Sequence, residues 1–286
     1  MSAPEVPTIV TRVAKICHDD HRWFGRSVLR EMSGAGVVRE SYASVIATAI
    51  SGRRFSAEAC DVLDEMAVLI SAADPRVWPL KITRLVASYG GMLAGFVAGH
   101  LCMEGDRIGP PIARHAATML AELMVAVGGT EVVRAATDSD RDRLERAALA
   151  VVSTRKRLIG YGIPFRPEDE RYVALRAMIE RRGREVLPWW RLHSILNDVV
   201  RQERKLPPNI GIGVAAMALD LGFLPDEIGA VPTFFNINCF VANAVEGANQ
   251  QAAVLRCLPD TSIDYVGFGP RESPRARMTS GRSVNT

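Results

Sequence analysis

Apolar residues recur every three or four positions along most of this chain, and that spacing limits its fold more than any other feature. The stretch 56–71 begins with Ser56 as an N-cap and has one apolar face, formed by Ala59, Val62, Leu63, Met66, Leu69 and Ile70. Further helices are predicted over 40–49, 80–101, 113–127, 130–151, 167–182, 188–205, 210–221 and 234–247. No convincing run of alternating strand residues appears. The sequence therefore predicts an all-α protein.

Composition excludes several classes of protein. The chain has 286 residues, 48% hydrophobic and 23% charged, which is enough for one large or two modest domains. The net charge of +3 gives no electrostatic footprint for nucleic acid, so no such partner is expected. Five scattered cysteines without C-x-x-C spacing predict neither disulfides nor zinc. His18 and His21 have metal-ligand spacing, but no third ligand is defined, so neither a metal nor a cofactor is expected.

The most apolar stretch, 85–103, is long enough to cross a membrane. Its Gly90–Gly91 pair and His100 are more typical of a tightly packed buried helix. The N-terminal residues show no signal-peptide pattern. We therefore expect a cytoplasmic protein that does not bind a membrane.

Two segments carry recognisable motifs. Residues 160–171 read GYGIPFRPEDER, a glycine loop followed by Arg166 and an acidic-Arg pair, and residues 206–213 read LPPNIGIG. Both resemble the citrate synthase / citryl-CoA lyase family, in which a GYGH or GFGHP loop and a PNVDFYSG segment build the CoA-thioester site. The stretch SGRRFSAEA is similar to an early family segment, TGELPTPEE.

The resemblance implies a citrate-synthase-like fold with a small helical domain inserted in a large one and the active site in the cleft between them. Residues 1–116 and 222–286 would form the large domain, and residues 117–221 the small, CoA-binding-type domain. A homodimer is implied too. Arg271, in the late segment YVGFGPR, and Arg275 resemble a family arginine that reaches into the partner subunit's active site.

The chemistry of that family is missing at its usual positions. A carboxylate must take a proton from the thioester, and two imidazoles must stabilise the reacting oxygens. Ile112, in IGPPIA, and Ile163 stand at the two histidine positions, and Gly211 stands at the aspartate position. Asn238 replaces an arginine that binds the oxaloacetate carboxylate, and residues 73–78 lack another family histidine. Ordinary citrate synthesis is therefore not expected.

Recognition of CoA is better preserved. A Gly160–Gly162 turn lets backbone N–H groups approach a phosphate or thioester closely. The CoA or acyl-CoA site is predicted to consist of Arg155, Lys156, Arg157, Gly160, Tyr161, Gly162, Arg166, Asn209 and Arg271. His115, three positions past Ile112, is the candidate substitute catalyst. Isoleucine at 112 and 163 makes the cleft apolar, which predicts an apolar acyl group.

Three functions are consistent with these features. The first is a divergent acyltransferase or lyase that forms or cleaves a C–C bond beside a CoA thioester, or hydrolyses the thioester, with a small carboxylate as a possible co-substrate. The second is a catalytically inactive family member that acts as a ligand sensor or as the partner subunit of an active paralogue. The third is a structural interaction protein without a small ligand. The loss of all three chemical residues while the loop glycines are kept favours the second, and the third is supported only by the dimer-prone helical core.

Overall fold

The computed structural model describes residues 10–16, 21–32, 40–105, 108–163, 167–251, 261, 264 and 266–267. Helices predominate among them, which confirms the predicted all-α class. The chain divides into two compact units, Met1–Gln250 and Gln251–Thr286. The inserted small domain over residues 117–221 stays a prediction.

The α-helices of the described residues agree broadly with the predicted ones. Their bounds are α1 Tyr42–Ser51, α2 Ala57–Ile70, α3 Trp78–Gly90, α4 Met92–Leu101, α5 Pro110–Ala126, α6 Thr130–Ala135, α7 Arg141–Thr154, α8 Glu170–Arg181, α9 Pro188–Arg204, α10 Ile210–Asp220, α11 Pro225–Ile228, α12 Ala230–Phe235 and α13 Ile237–Ala248. A π-helical turn covers Val28–Met32, and 3-10 turns cover Cys102–Glu104 and Asp138–Asp140. Ser56 caps α2 as predicted, since its side chain accepts a hydrogen bond from the Ala59 N–H.

Three short antiparallel strands correct the expectation that no strand would be found. They are β1 Ala14–Ile16, β2 His21–Trp23 and β3 Arg26–Ser27, paired in the order β1-β2-β3. Phe24 and Gly25 join β2 to β3 with φ of 46° and 77°, the geometry of a two-residue hairpin turn. Strands of two or three residues are too short to show alternation, so periodicity could not predict them.

The single helix predicted over 80–101 is two helices, α3 and α4, that fold back on each other. Gly91 separates them with a φ of 88°, a conformation that only glycine adopts readily. Gly95 and Gly99 of α4 lie against Thr83 and Ala87 of α3, where any side chain would collide. The glycines are therefore required by the close packing of this helical hairpin, as well as by the turn.

The helix predicted over 130–151 is also interrupted. Ala136 is extended, and Thr137 and Asp140 form a capping box in which the Asp140 carboxylate accepts from the Thr137 N–H at 3.0 Å. Such a box starts a new helix. The chain therefore leaves α6 and begins α7 after five intervening residues.

The main core lies around α10. Residues 212–219 of this helix are all buried, so it is surrounded on every side. It packs against α5, α8, α9 and α11. The first turns of α5 and α10 lie close together, so side chains from both helices can contribute to the same site.

A second, smaller core joins α3, α4 and α13 through Leu80, Met103, Cys239 and Phe240. The stretch Pro225–Ala248 is long and apolar enough to cross a membrane by length and composition, with 33% of its most apolar window buried. The structure divides this stretch into α11, α12 and α13, so it is not one continuous helix.

Candidate functional site

The two motif-bearing segments, 160–163 and 206–211, lie side by side. The Asn209 N–H donates to the Gly160 carbonyl at 2.9 Å, and the Gly162 N–H donates to the Pro207 carbonyl at 2.8 Å. Tyr161 and Pro208 form an isolated antiparallel bridge between them. Two segments more than forty positions apart in sequence thus form one short β-like pair. We call residues 160–163 and 206–211 together the motif pair.

Close packing and backbone geometry explain the glycines of the motif pair. Gly160 has a φ of 90°, and a Cβ on it would lie 2.7 Å from the Cβ of Ile212. Gly162 has a φ of 81°. Both angles lie in the region that glycine adopts without strain. The segment can therefore follow this path against α10 only with glycine at both positions.

The first turn of α10 is capped from two directions. The Asn209 Oδ1 accepts from the Gly211 N–H at 2.9 Å, while its Nδ2 donates to the Gly162 carbonyl at 3.1 Å. The Asp169 Oδ2 accepts from the Ile210 N–H at 2.9 Å. These N–H groups are consequently already used within the protein. The free positive end that a helix offers to an anion is partly neutralised here.

Asp169 joins two helix starts through a buried carboxylate. It caps α8 by accepting from the Arg171 N–H at 3.1 Å, besides accepting from Ile210 at the start of α10. The Arg171 guanidinium also binds it, through Nε at 3.1 Å and Nη2 at 3.3 Å. The acidic-Arg pair noted in the sequence is therefore an ion pair that fixes α8 against α10 beside the motif pair.

Two of the three positions where a family catalytic residue is replaced lie next to each other. Ile112 lies in the first turn of α5 and Gly211 in the first turn of α10, both half-buried. A Cβ on Gly211 would lie 2.8 Å from Ile112 Cγ2 and 3.1 Å from Asn209 Oδ1. Ile163 follows the glycine loop and is half-buried as well. This corner of the site offers methyl groups where the family chemistry needs a carboxylate and imidazoles.

A buried polar network lies behind the motif pair and was not predicted. The Tyr161 hydroxyl donates to Asn197 Oδ1 at 2.7 Å, and Asn197 Nδ2 donates to the Tyr172 hydroxyl at 2.7 Å. Asn197 Nδ2 is also 3.0 Å from Nε2 of His193, which is fully buried. Hydrogen bonds of this kind between buried side chains hold them in one arrangement, although Nδ1 of His193 is buried without a hydrogen-bond partner among the described residues. Here the network fixes the Tyr161 side chain and with it the glycine loop.

Burial shifts the pKa of each titratable member of this network. It lowers the pKa of His193 to about 3, so the imidazole is neutral at pH 7. It raises the pKa of Tyr172 to about 12 and that of Tyr161 well above its ordinary value. The network is therefore uncharged, and it acts by positioning rather than by proton transfer.

The sequence contained one signal for this network. His193 and Asn197 are spaced i, i+4 on the apolar face of α9, between Leu192, Leu196 and Val200, all of them buried. Polar residues on a buried helical face must find hydrogen-bond partners. Tyr161 and Tyr172 come from distant segments, so only the fold could identify them as those partners.

The basic residues predicted to bind CoA have different surroundings. Arg155 is half-buried and forms an ion pair with Glu122, whereas Lys156 and Arg157 are exposed. Arg166, Arg271 and Arg275 lie outside the described residues. Lys156 and Arg157 are thus the exposed cations in the described part of the chain that lead directly into the glycine loop.

The remaining candidates contribute less to this arrangement. His115 is exposed on α5, one turn from Ile112, and Asn238 is exposed on α13. Among the described residues no group of three or more His, Cys, Asp or Glu could hold a metal ion. Of the stretch 17–21, only His21 is described.

No protein-family model and no curated protein matches this chain. Solved structures do. A citryl-CoA lyase from Hydrogenobacter thermophilus superposes with a TM-score of 0.73 and 17% identity over 95% of this chain and 100% of its own. An ATP citrate lyase from Methanothrix soehngenii, in complex with citrate and coenzyme A, gives 0.68 and 14% over 94% of this chain but only 43% of its own.

A third structure is the citrate synthase from Thermoplasma acidophilum in a ternary complex with carboxymethyl coenzyme A and oxaloacetate. It superposes with a TM-score of 0.59 and 17% identity over 83% of this chain and 60% of its own. At such identities the likeness concerns the path of the chain. It confirms the fold that the two motifs implied.

Proposed function

We propose that this chain, whose fold is that of citrate synthases and citryl-CoA lyases, binds a CoA thioester at the motif pair. The observation that carries the proposal is the pairing of 160–163 with 206–211 by hydrogen bonds of 2.8–3.1 Å. Neighbouring structures contain coenzyme A, citrate or carboxymethyl coenzyme A, which supports the same class of ligand here.

The surroundings of the motif pair favour a ligand with one charged and one apolar end. Exposed Lys156 and Arg157 are positioned in sequence to meet phosphates as the chain enters the loop. Ile112 and Ile163 are half-buried and would offer apolar atoms to the acyl end of the ligand. An acyl-CoA has this distribution of charge. Arg166 and Arg271 remain part of the proposed CoA site on the strength of the sequence.

Two versions of this function differ in whether chemistry follows binding. In the first, the protein forms or cleaves a C–C bond beside the thioester, with His115 as the substitute catalyst and a small carboxylate as co-substrate. In the second, it binds without turnover as a sensor or partner subunit. The contact of Ile112 with the space beside Gly211 favours the second version, because it leaves no room for a carboxylate there. His115 is exposed, so burial does not activate it.

We also propose that the protein works as a homodimer in the cytoplasm. The support is an apolar stripe on α4, where Leu93, Val97 and Leu101 are 68%, 46% and 67% exposed. These residues are spaced i, i+4, i+8 and so lie on one helical face. Exposed stripes of this kind are typical of protein interfaces.

Calorimetric titration with CoA, acetyl-CoA and a longer acyl-CoA tests binding directly. We expect saturable binding that is weakened at least about tenfold by Lys156→Ala or Arg157→Ala, since one charged hydrogen bond contributes about 1.5–3 kcal/mol and about 1.36 kcal/mol is one factor of ten. Arg146→Ala is the matched control, because Arg146 is an exposed cation of α7 in the same region of the chain. It should leave the affinity unchanged.

Absence of binding at millimolar ligand would refute the proposal. Equal losses of affinity in all three variants would instead show that the ligand responds only to the overall positive charge, and would contradict binding at the motif pair. Incubation of the bound acyl-CoA with and without a small keto acid, followed by mass analysis of the thioester and a thiol reagent, then separates the two versions. A change in the mass of the acyl group or release of free CoA thiol supports the enzyme, and an acyl-CoA unchanged under both conditions supports the binding protein.

A further inference from the structure

Gly211 is a glycine whose backbone does not require one. It lies in the first turn of α10 with an ordinary helical φ, unlike Gly160 and Gly162. Glycine within a helix is less favourable than alanine by about 1 kcal/mol. Its presence here therefore has to be explained by its missing side chain.

The space beside Gly211 is filled from α5. A Cβ on Gly211 would lie 2.8 Å from Ile112 Cγ2, closer than real Cβ contacts allow. The colliding atom is a branch methyl next to the α5 backbone, and rotation of a β-branched side chain in a helix is strongly restricted. The same Cβ would lie 3.1 Å from Asn209 Oδ1, which caps α10. Any side chain at 211 thus meets one rigid neighbour and disturbs one cap.

This contact is part of the motif pair's surroundings. Asn209 binds both the Gly162 carbonyl and the Gly211 N–H, so one residue connects the glycine loop to the contact. Ile112 and Gly211 are each half-buried, and part of this corner therefore remains accessible. A group bound at the motif pair would meet Ile112 next.

We propose that Ile112 and Gly211 are a coupled pair in which Ile112 fills the volume of a side chain at 211 and sets the size of the acyl group admitted. This proposal rests on the CoA-thioester function proposed above. The residue types at positions 112 and 211 depend on each other, because isoleucine at 112 fits only where residue 211 has no side chain. Ile112 is accordingly a specificity-determining residue, and it reserves the site for small apolar groups.

The sign of one substitution tests the pair without any ligand. Gly211→Ala should lower the urea midpoint of the otherwise unchanged protein despite the better helix propensity of alanine. In an Ile112→Ala background the same change should lower the midpoint less, because only the 3.1 Å contact with Asn209 Oδ1 remains. Gly229→Ala is the matched control. Its Cβ would meet only ordinary contacts of 3.5 Å and longer, so its effect should not depend on residue 112.

Selectivity between acyl groups tests the proposed role of Ile112 in setting the size of the acyl group. Ile112→Ala removes three carbons from the site and should shift the ratio of affinities toward a longer acyl-CoA over acetyl-CoA by about tenfold or more. Equal effects of Gly211→Ala in both backgrounds would overturn the coupling. An unchanged selectivity, with thioesters still bound, would overturn the specificity role and leave the proposed function standing. If the unsubstituted protein binds no thioester, the proposed function and the specificity role both fail, whereas the steric coupling is still decided by the urea titrations.

Discussion

At the scale of single residues, the neutral state of His193 is the clearest consequence of burial. Asn197 Nδ2 donates to its Nε2 at 3.0 Å, so a proton added at Nε2 would face another donor. Burial lowers the pKa of this imidazole to about 3, whereas in the unfolded chain it titrates near its ordinary value. The unfolded state therefore binds more protons at acidic pH. Stability from this group is complete above the ordinary pKa and is lost as the pH falls toward 3.

We expect His193→Gln to reduce the acid sensitivity of folding. Between pH 7 and pH 4.5 the unsubstituted protein should lose about 2–3 kcal/mol of its free energy of unfolding through His193. The variant should not lose this contribution, because glutamine does not titrate. The stability difference between the unsubstituted protein and this variant should shrink by that amount in urea titrations. His115→Gln is the control, since it makes the same replacement at an exposed histidine of α5. Parallel profiles for both variants would show that His193 is not held neutral.

At the scale of elements, the first turn of α9 is capped by a side chain from the end of α10. No side chain of its own caps it, and Leu187 and Pro188 occupy its start. The Asp220 carboxylate accepts from the Trp189 N–H at 3.0 Å and from the Trp190 N–H at 2.8 Å. Burial raises the pKa of Asp220 to about 6, against the opposing effect of these two hydrogen bonds. The two helices are thus connected by a carboxylate that titrates near neutral pH.

The sign of this pH effect is opposite to that of His193. The folded pKa of Asp220 exceeds the unfolded one, so its stabilisation is complete at low pH and is lost as the pH rises through about 6. Relative to Asp220→Asn, the unsubstituted protein should gain about 2 kcal/mol between pH 7 and pH 4.5. Urea titrations at both pH values measure this difference. Glu203→Gln, at an exposed position of α9, serves as the control. A constant difference would mean that Asp220 titrates normally.

The elements also show what a sequence can and cannot predict. Periodicity was sufficient for α2, α5 and α9, because each has one long apolar face. It missed the turn at Gly91, since apolar residues continue on both sides of it. The motifs located the segments of the site, but the network of Tyr161, Tyr172 and His193 joins residues that only the fold brings together. The contact of Ile112 with Gly211 is of the same kind.

At the scale of the whole molecule, the apolar stripe of α4 requires an explanation. Leu93 and Leu101 are 68% and 67% exposed, and α13 adds Val241 and Val245 at 41% and 47%. The two helices pack on each other, so these side chains belong to one region of Met1–Gln250. A stable interface buries about 800 Å² on each partner. We expect a second copy of this chain to cover these side chains.

We expect the protein to sediment as a dimer and Val97→Lys to sediment as a monomer. Val97 is in the middle of the stripe and 46% exposed, so lysine there places a charge in the interface without disturbing the core. Lysine is also a better helix former than valine, so the helix itself should persist, which circular dichroism can verify. Val68→Lys, at a 72% exposed position on α2, is the matched control and should remain dimeric. A monomeric unsubstituted protein at micromolar concentration, or a dimer that tolerates Val97→Lys, would exclude this face as the interface.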